Sequence, residues 1–366
     1  MSPSTPPLRI GTRGSDLALT QTTTVAEALA AASGREVELV RIRTEGDRSK
    51  ASLSSLGGTG VFAAALRHAL LEGACDVAVH SLKDLPTAPT DGLSIGATPG
   101  RADPRDALCA LEGWTLATLP AGARVGTGSP RRAAQLRVAR PDLEIVDIRG
   151  NVGTRLGRVA RGDLDAVVLA RAGLARLGLL GHVTDTLGPE VMLPAPGQGA
   201  LAVECRTEDL DGGPLGEIMR AIDHVPTRLS VVAERALLRT LEAGCAAPVG
   251  AYARVVPGTA DAPTRLELSG GAFDPAGKRR LTRSWTAGLP GHPEDSSAEA
   301  RGTSMAQDVT LTLAQQLGES AAVDLIADGA AEIAGLPLAA NAPASARADG
   351  AAGGRDGAHR GAGAPA

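Results

Sequence analysis

The chain is poor in aromatic residues, cysteine and lysine, and these scarcities exclude several classes of protein. Its 366 residues include two Trp, one Tyr and two Phe, so it lacks the aromatic platforms on which single-stranded nucleic acids stack. It contains no run of about 18 apolar residues, so we expect no membrane span. The N-terminal residues lack the basic and apolar regions of a secretory signal. We therefore expect a cytoplasmic protein.

The four cysteines are too far apart for a CxxC pair or a zinc site, so we expect free thiols and no metal. Cys75, Cys109 and Cys205 lie within apolar runs that are typical of a protein core. Cys245 differs because it follows Gly244 at the end of a helical stretch and precedes Ala-Ala-Pro. This setting predicts an accessible thiol, and by itself leaves open whether that thiol has a function.

Lysine is nearly absent, whereas arginine is abundant and unevenly placed. Lys50, Lys83 and Lys278 are the only lysines among 37 basic residues, which leaves 34 arginines in a chain of net charge −4. Between Arg101 and Leu180 there are thirteen Arg and eight acidic residues, a local charge of +5 against −9 elsewhere. Most of the arginines need no functional explanation, because the whole chain is rich in Ala, Gly and Arg. Because a guanidinium grips carboxylate or phosphate through two bonds, the central segment favours a small polyanionic ligand.

A length of 366 residues, at roughly 150 residues per domain, predicts two to three domains. Short apolar, β-branched runs alternate with helical patterns through the first two-thirds of the chain. The pattern of the first two-thirds predicts an α/β fold with mainly parallel sheets. The region after Gly212-Gly-Pro is predicted to be an α+β unit with helices over 229–241 and 305–317. Its strand-like runs are Val249–Val256, Leu266–Phe273 and Thr282–Ala287. The predicted strands of the first part are Leu8–Thr12, Val37–Ile42, Asp76–His80, Leu93–Ala97, Asp106–Leu111, Arg124–Gly126, Glu144–Ile148, Asp165–Leu169 and Leu201–Cys205.

Five of these strands end in polar residues, at the edge where an open α/β sheet binds its ligands. One strand stops at Gly126, and Pro130 then suits the first turn of a helix that carries Arg131 and Arg132. Helix N-termini bind anions, so this is a candidate anion site, although solvated surface arginines are the alternative. The candidate binding residues of all five ends are Arg13, Ser15, Ser81, Lys83, Thr127, Ser129, Arg131, Arg132, Arg149, Arg155 and Arg176.

Asp84 follows Lys83 at the end of the third predicted strand. A carboxylate in a partly closed cleft can act as general acid or base, or stabilise a developing cation. Taken alone, the pair reads better as a surface ion pair in the turn before Pro86.

Taken in order, the segments closely resemble the porphobilinogen deaminase (hydroxymethylbilane synthase) family, from about Leu8 to about Gly335. Each block is weak by itself, but eight in the same order are specific. The matching blocks are RIGTRGS (9–15), GTGVF (58–62), VHSLKD (79–84), GTGSPRR (126–132), IRGNVGTR (148–155), LARAGL (169–174), PAPGQGA (194–200), and AERA (233–236) with LEAGC (241–245).

This resemblance implies a fold of two α/β domains, similar to type II periplasmic binding proteins, with a cleft between them and a smaller α+β third domain. We place the first domain at 8–102 with 201–219, the second at 103–200 and the third at 220–335. Residues 336–366 lie beyond the family pattern and are rich in Ala, Gly, Pro and Arg, which predicts a disordered tail.

The resemblance also implies a transferase of tetrapyrrole and haem biosynthesis that polymerises four porphobilinogen molecules, with loss of ammonia, to hydroxymethylbilane. Family members use a dipyrromethane cofactor held by a thioether, and Cys245 matches the cysteine that carries it. Asp84 matches the catalytic aspartate. By the same match, Ser81, Lys83, Thr127, Ser129, Arg131 and Arg132 bind the cofactor, and Arg13, Ser15, Arg149, Arg155 and Arg176 bind substrate.

We expect a monomer whose partner is porphobilinogen, and neither nucleic acid nor a membrane. The alternative from a different class is a non-enzymatic, two-lobed binding protein for an acidic small molecule. Cys245 and the third domain argue against that alternative.

Overall fold

A computed structural model of the chain describes residues 6–42, 60–243, 247–259, 262–290 and 300–336. These residues form two five-stranded sheets and one three-stranded sheet, each covered by helices. The predicted disordered tail lies outside the described residues, apart from Leu336. Among the helices that the structure describes, none has the length and apolar character needed to cross a membrane.

The first five-stranded sheet, with its helices, is called lobe 1 here. The strand order is β2-β1-β3-β10-β4. Apolar side chains fill both faces, with Ile10 and Val77 packed against Leu29, and Ala78 packed against Leu66 and Leu70. Its elements are β1 (Leu8–Thr12), α1 (Asp16–Ser33), β2 (Val37–Arg41), α2 (Gly60–Leu71), β3 (Val77–Ser81), β4 (Leu93–Ala97), β10 (Leu201–Arg206) and α6 (Pro214–Ile222).

The second five-stranded sheet, called lobe 2, has the order β7-β6-β8-β5-β9. Its β8 strand is buried on both faces, as expected for the apolar run Ala-Val-Val-Leu in the centre of a covered sheet. The elements are β5 (Asp106–Ala110), β6 (Arg124–Gly126), α3 (Pro130–Ala139), β7 (Glu144–Val146), α4 (Val152–Ala160), β8 (Ala166–Ala170), α5 (Arg171–Arg176) and β9 (Asp185–Leu187).

The prediction of mainly parallel sheets is confirmed, because four of the five strands in each lobe run in the same direction. One strand in each lobe runs against its two neighbours, which makes two of the four strand pairs antiparallel. The antiparallel strands are β5 and β10, and each begins directly after a segment that crosses from the other lobe. Leu201 at the start of β10 lies opposite Ser81 at the end of β3, and Asp106 lies opposite Ala170 in the same way. Because β5 and β10 each start at the edge of the sheet where their neighbouring strands end, they run antiparallel to those neighbours.

The third unit is α+β, as predicted, and packs α7 and α8 against one face of the sheet β11-β12-β13. Small residues make this packing close, since a Cβ added at Gly318 of α8 would lie 2.2 Å from the carbonyl oxygen of Ala233 on α7. The elements are α7 (Val225–Thr240), β11 (Val249–Val256), β12 (Arg265–Phe273), β13 (Arg280–Gly288), α8 (Ala300–Ala327) and α9 (Ala330–Ala334).

Most of the predicted element boundaries agree with the structure to within a few residues, and the elements that were not predicted include β9, α6 and the short α9. The strand β9 is only three residues long and lacks an alternating pattern. The helix α6 follows a Gly-Gly-Pro run that reads as a boundary, yet Pro214 stands in its first turn, where a missing N–H removes no hydrogen bond. The final long helix extends over Ala300–Ala327, well beyond the predicted 305–317.

Two chain segments cross between the lobes, and the third unit holds both of them. The amide of Ala102 donates to the carbonyl of Gly199 at 3.2 Å. Gly199 has φ of 87°, and a Cβ there would lie 2.4 Å from the Ala102 oxygen, so only glycine fits. The fully buried Glu234 of α7 accepts from the guanidinium of Arg101 at 2.6 and 2.9 Å and from the amide of Gly197 at 2.7 Å.

Candidate active site

Lobe 1 brings its predicted site residues to one cavity of about 250 Å³, at the ends of β1 and β3. The Ser15 hydroxyl caps α1 by accepting from the amide of Ala18 at 3.4 Å, and Lys83 and Asp84 lie in a 3₁₀ turn, Leu82–Asp84, directly after β3. The predicted residues that line this cavity are Arg13, Ser15, Ser81, Lys83 and Asp84.

The turn that carries Lys83 and Asp84 is anchored from behind. Leu82 and Leu85 are buried and pack against Val231 of α7. Arg235, one turn further along α7, donates to the carbonyl oxygens of Leu85 and Pro86 at 2.8 and 2.7 Å. The two leucines therefore face the third unit, and the residues between them line the cavity.

Lys83 connects the cavity to the segment that joins the lobes. Its half-buried ammonium donates to the side-chain oxygen of Gln198 at 3.3 Å. Burial lowers the pKa of Lys83 to about 8, with Asp84 and Asp106 opposing that change and Arg132 adding to it. At neutral pH the ammonium form still dominates, and its charge is lost as the pH rises through about 8.

Lobe 2 supplies the helix start that the sequence predicted. The Ser129 hydroxyl caps α3 by accepting from the amide of Arg132 at 3.5 Å, and Pro130 lies in the first turn. The buried hydroxyl of Thr127 accepts from the amide of Ser129 at 3.2 Å. Arg131 and Arg132 are therefore held in the first turn of α3, as predicted.

Both arginines are buried and are paired with one buried carboxylate, Asp106. Arg131 donates to one oxygen of Asp106 at 2.8 Å, and Arg132 donates to the other at 2.7 and 3.0 Å. Arg131 also donates to the carbonyl of Leu193 and Arg132 to that of Val168. Burial alone would raise the pKa of Asp106, but the two guanidiniums outweigh it and hold that pKa well below its usual range. The trio therefore keeps one net positive charge.

Removing this carboxylate is expected to destabilise the protein more than removing a surface one. Asp106→Asn leaves two buried guanidiniums without a counter-charge, which costs about 3–5 kcal/mol of unfolding free energy. Asp163→Asn is the matched control, because Asp163 pairs with an exposed Arg161 at 3.2 Å on the surface of lobe 2 and should change stability by about 1 kcal/mol or less. Urea unfolding measures both, and equal small effects would contradict the assignment.

Arg149, Arg155 and Arg176 complete the arginine set and are more open than the pair on α3. Arg149 is exposed and lies 3.9 Å from Asp147. Arg155 donates to the carbonyl of Gly150 at 2.8 Å. Burial, followed by the charges of Arg132 and Arg149, lowers the pKa of Arg155. Three guanidiniums thus lie close enough to repel one another, which suits a ligand with several carboxylates.

Arg176 reaches from α5 to the crossing segment and donates to the carbonyl of Gly199 at 2.8 Å. Burial lowers its pKa as well. It therefore lies beside the junction of the lobes, although the sequence could assign it only to a strand end.

Cys245 lies outside the described residues, which resume at Ala247. The described chain before it ends in a turn after α7, where Glu242 has φ of 50° and Ala243 is buried. The predicted cofactor attachment therefore remains a prediction. Its place in sequence, just after the helix that anchors Asp84 and both crossing segments, is compatible with it.

The sequence did not single out Asp106 and Gln198, which connect the two lobes. The buried amide of Gln198 donates to Asp106 at 2.8 Å and to the Pro104 carbonyl at 2.7 Å, while its oxygen accepts from Lys83. The available signal was a lone carboxylate at the head of the apolar run Asp106-Ala-Leu-Cys-Ala. In the ranges that the structure describes, no group of His, Cys, Asp and Glu could hold a metal ion.

Two family models match the chain. The first, described as porphobilinogen deaminase, dipyromethane cofactor binding domain, covers residues 8–212. The second, described as porphobilinogen deaminase, C-terminal domain, covers residues 228–326.

Curated relatives agree with the family models. The chain is 55% identical to the porphobilinogen deaminase of Micrococcus luteus, over 88% of this chain and 93% of that protein. It is 54% identical to the porphobilinogen deaminase of Leifsonia xyli, over 90% and 94%. The Mycobacterium tuberculosis protein of the same name is 59% identical over 68% and 79%.

Solved structures with partial likeness to the chain include two substrate-binding proteins. The methionine-binding protein MetQ aligns with a TM-score of 0.38 and 14% identity, over 63% of this chain and 93% of its own. A periplasmic substrate-binding protein of a Coxiella burnetii ABC transporter has a TM-score of 0.38 and 15% identity, over 59% and 91%.

Two α/β lobes, linked by two crossing segments and held together by a smaller α+β unit, define the class of this protein. Within that class, the chain belongs to the porphobilinogen deaminase family. It is a transferase of porphyrin biosynthesis with a dipyrromethane cofactor-binding domain, rather than the non-enzymatic binding protein that we considered as the alternative.

Proposed function

We propose that the cleft between the lobes joins four porphobilinogen molecules head to tail, with release of one ammonia at each step. The observation that carries this proposal is that Lys83 of lobe 1 and Arg132 of lobe 2 both donate to the side-chain oxygen of Gln198, at 3.3 and 3.5 Å, so that cationic groups of both lobes form one cluster. Every pyrrole of the substrate and product carries an acetate and a propionate. A growing chain therefore needs several permanently charged, fork-shaped donors in one place.

The same cluster suits the cofactor. When bound, dipyrromethane supplies the primer to which substrate is added. Residues at the start of α3 and the end of β3 would hold its carboxylates, because the Asp106 trio keeps a net positive charge beside Lys83. The residues to which we assign this role are Ser81, Lys83, Thr127, Ser129, Arg131 and Arg132.

Cys245 is the thiol best suited to attach the cofactor. Cys75, Cys109 and Cys205 are buried free thiols, and burial raises the pKa of Cys109 to about 11 and that of Cys205 to about 12. The reactive form of cysteine is the thiolate, so these buried groups are poor nucleophiles at neutral pH.

Asp84 is the group that we assign to catalysis. Its carboxylate lines the cavity beside Lys83, where it can accept a hydrogen bond from a pyrrole N–H. It stabilises the positive charge that develops on the substrate methylene when ammonia leaves. Arg13, Ser15, Arg149, Arg155 and Arg176 orient the substrate through its two carboxylates.

We further propose that the protein works as a cytoplasmic monomer with porphobilinogen as its partner. The family supports the substrate, whereas the monomeric state and the compartment stay predictions.

Intact-mass spectrometry tests the proposed function directly. The purified protein is expected to be heavier than its sequence by two linked pyrrole units. Brief exposure to porphobilinogen should add further units one at a time, with ammonia released in equal number. An active preparation with the unmodified mass would overturn the covalent-primer mechanism.

A further inference from the structure

A buried cluster of three ionisable side chains lies beneath the Asp84 cavity and has no part in the mechanism above. Glu204 lies on β10, His80 on β3 and Arg67 on α2. Because β10 pairs with β3 in antiparallel register, with Ala202 opposite His80 and Glu204 opposite Ala78, the two ionisable side chains share one face of the sheet. The helix α2 packs against that face.

Glu204 is the centre of this cluster and is 2% exposed. The guanidinium of Arg67 donates to its two oxygens at 2.9 to 3.1 Å. The Nε2 atom of His80 lies 3.1 Å from Oε2 of Glu204, but the angle between them does not meet the geometry of a hydrogen bond. Burial alone would raise the pKa of Glu204, yet His80 and Arg67 together lower it, so Glu204 is ionised.

The imidazole of His80 belongs to two environments at once. One edge lies against Glu204, and the same side chain lines the cavity that contains Asp84. Arg67 alone balances the charge of Glu204, so the cluster does not need a histidine for neutrality. A carboxylate beside Nε2 favours the tautomer with the proton on that nitrogen, in which Nδ1 is the atom that can accept a proton.

Each condensation releases one proton, which a base must accept. The C–N bond of the substrate breaks and ammonia leaves with the electron pair. A C–C bond then forms between the substrate methylene and the free α-carbon of the pyrrole already in the cleft. That carbon must lose its hydrogen as a proton to restore the aromatic ring. A base in the cleft accepts this proton and then passes it to the released ammonia, which leaves as ammonium. Asp84 has to stay ionised to stabilise the cation, so a separate acceptor is useful.

We propose that His80 is this acceptor, and that Glu204 is a positioning residue that sets its tautomer and stabilises the imidazolium. The inference rests on the proposed function and adds a residue to it. Histidine suits the role because it changes protonation near neutral pH and can pass the proton on before the next cycle. The charged groups that face it are Glu204, Arg67, Arg13, Lys83 and Asp84.

The test uses His80→Gln and porphobilinogen deuterated at its free α-carbon. The variant keeps a neutral donor for Glu204 and cannot accept the proton, so kcat should fall by about 10²-fold or more with KM unchanged. The primary isotope effect on kcat should exceed that of the wild type, because only proton loss is slowed. A structural role would lower kcat without raising the isotope effect.

Two further measurements separate the possible outcomes. Intact mass should show the full two-pyrrole increment in His80→Gln; loss of that increment would point to failed assembly and overturn the assignment to proton transfer. If that variant does not fold, Glu204→Gln should give a smaller fall in kcat, also with a raised isotope effect.

Discussion

Replacing Asp84 with Asn is expected to lower kcat by about 10²–10⁴-fold while the protein stays folded. Asn has nearly the same shape and can still accept a hydrogen bond, but it lacks the charge that stabilises a cation in the cavity. Asp84 lies in a turn anchored by Leu82 and Leu85, which the substitution leaves intact. Single-turnover kinetics with the cofactor-loaded enzyme measure the loss.

The matched control is Asp91→Asn, an exposed carboxylate in a turn of the same lobe. It should change neither kcat nor the thermal unfolding midpoint. Wild-type turnover in Asp84→Asn would remove Asp84 from the chemistry. A parallel loss of activity and folding would show that the residue supports the turn instead.

Replacing Cys245 with Ser is expected to abolish the two-pyrrole mass increment and, with it, turnover. A serine hydroxyl is a far weaker nucleophile than a thiol, so no thioether or equivalent bond forms under ordinary conditions. The fold should persist, because the described cores of all three units are built without this residue. Intact mass, together with circular dichroism, measures the two properties separately.

Cys109→Ala is the control for general loss of a thiol. Cys109 lies in the core of lobe 2, and burial raises its pKa to about 11, so its removal should leave the mass increment unchanged. An increment that survives in Cys245→Ser and is lost in Cys109→Ala would place the attachment in lobe 2 instead.

Local patterns were sufficient to predict most of the secondary structure. The bounds of β1, β4 and β6 match the sequence prediction, since each is a short segment bounded by polar, proline or glycine-rich turns. The cap at Ser15 is equally local, because its hydroxyl accepts from an amide three residues away. The direction of β10 was not predicted, because it depends on a crossing segment that enters the sheet from the other lobe.

The candidate site shows the same division between local and distant information. Motif position placed Arg131 and Arg132 at a helix start, and the structure places them there. Their pairing with Asp106, 25 and 26 residues away, has no local signal. The role of Gln198 as the link between Lys83 and Asp106 likewise depends on how the two lobes meet.

By itself, the sequence determined the family, the α/β class with a third α+β unit, and the strand ends where charged side chains collect. These depend on motifs, periodicity and capping, all of which act over a few residues. Only the tertiary structure decided that Arg131 and Arg132 share the buried carboxylate of Asp106. It also decided that His80 and Glu204 meet beside the cavity that contains Asp84. Electrostatic pairing and burial depend on distance in space, and residues such as Arg67 and Glu204 become neighbours only when helix and sheet pack together.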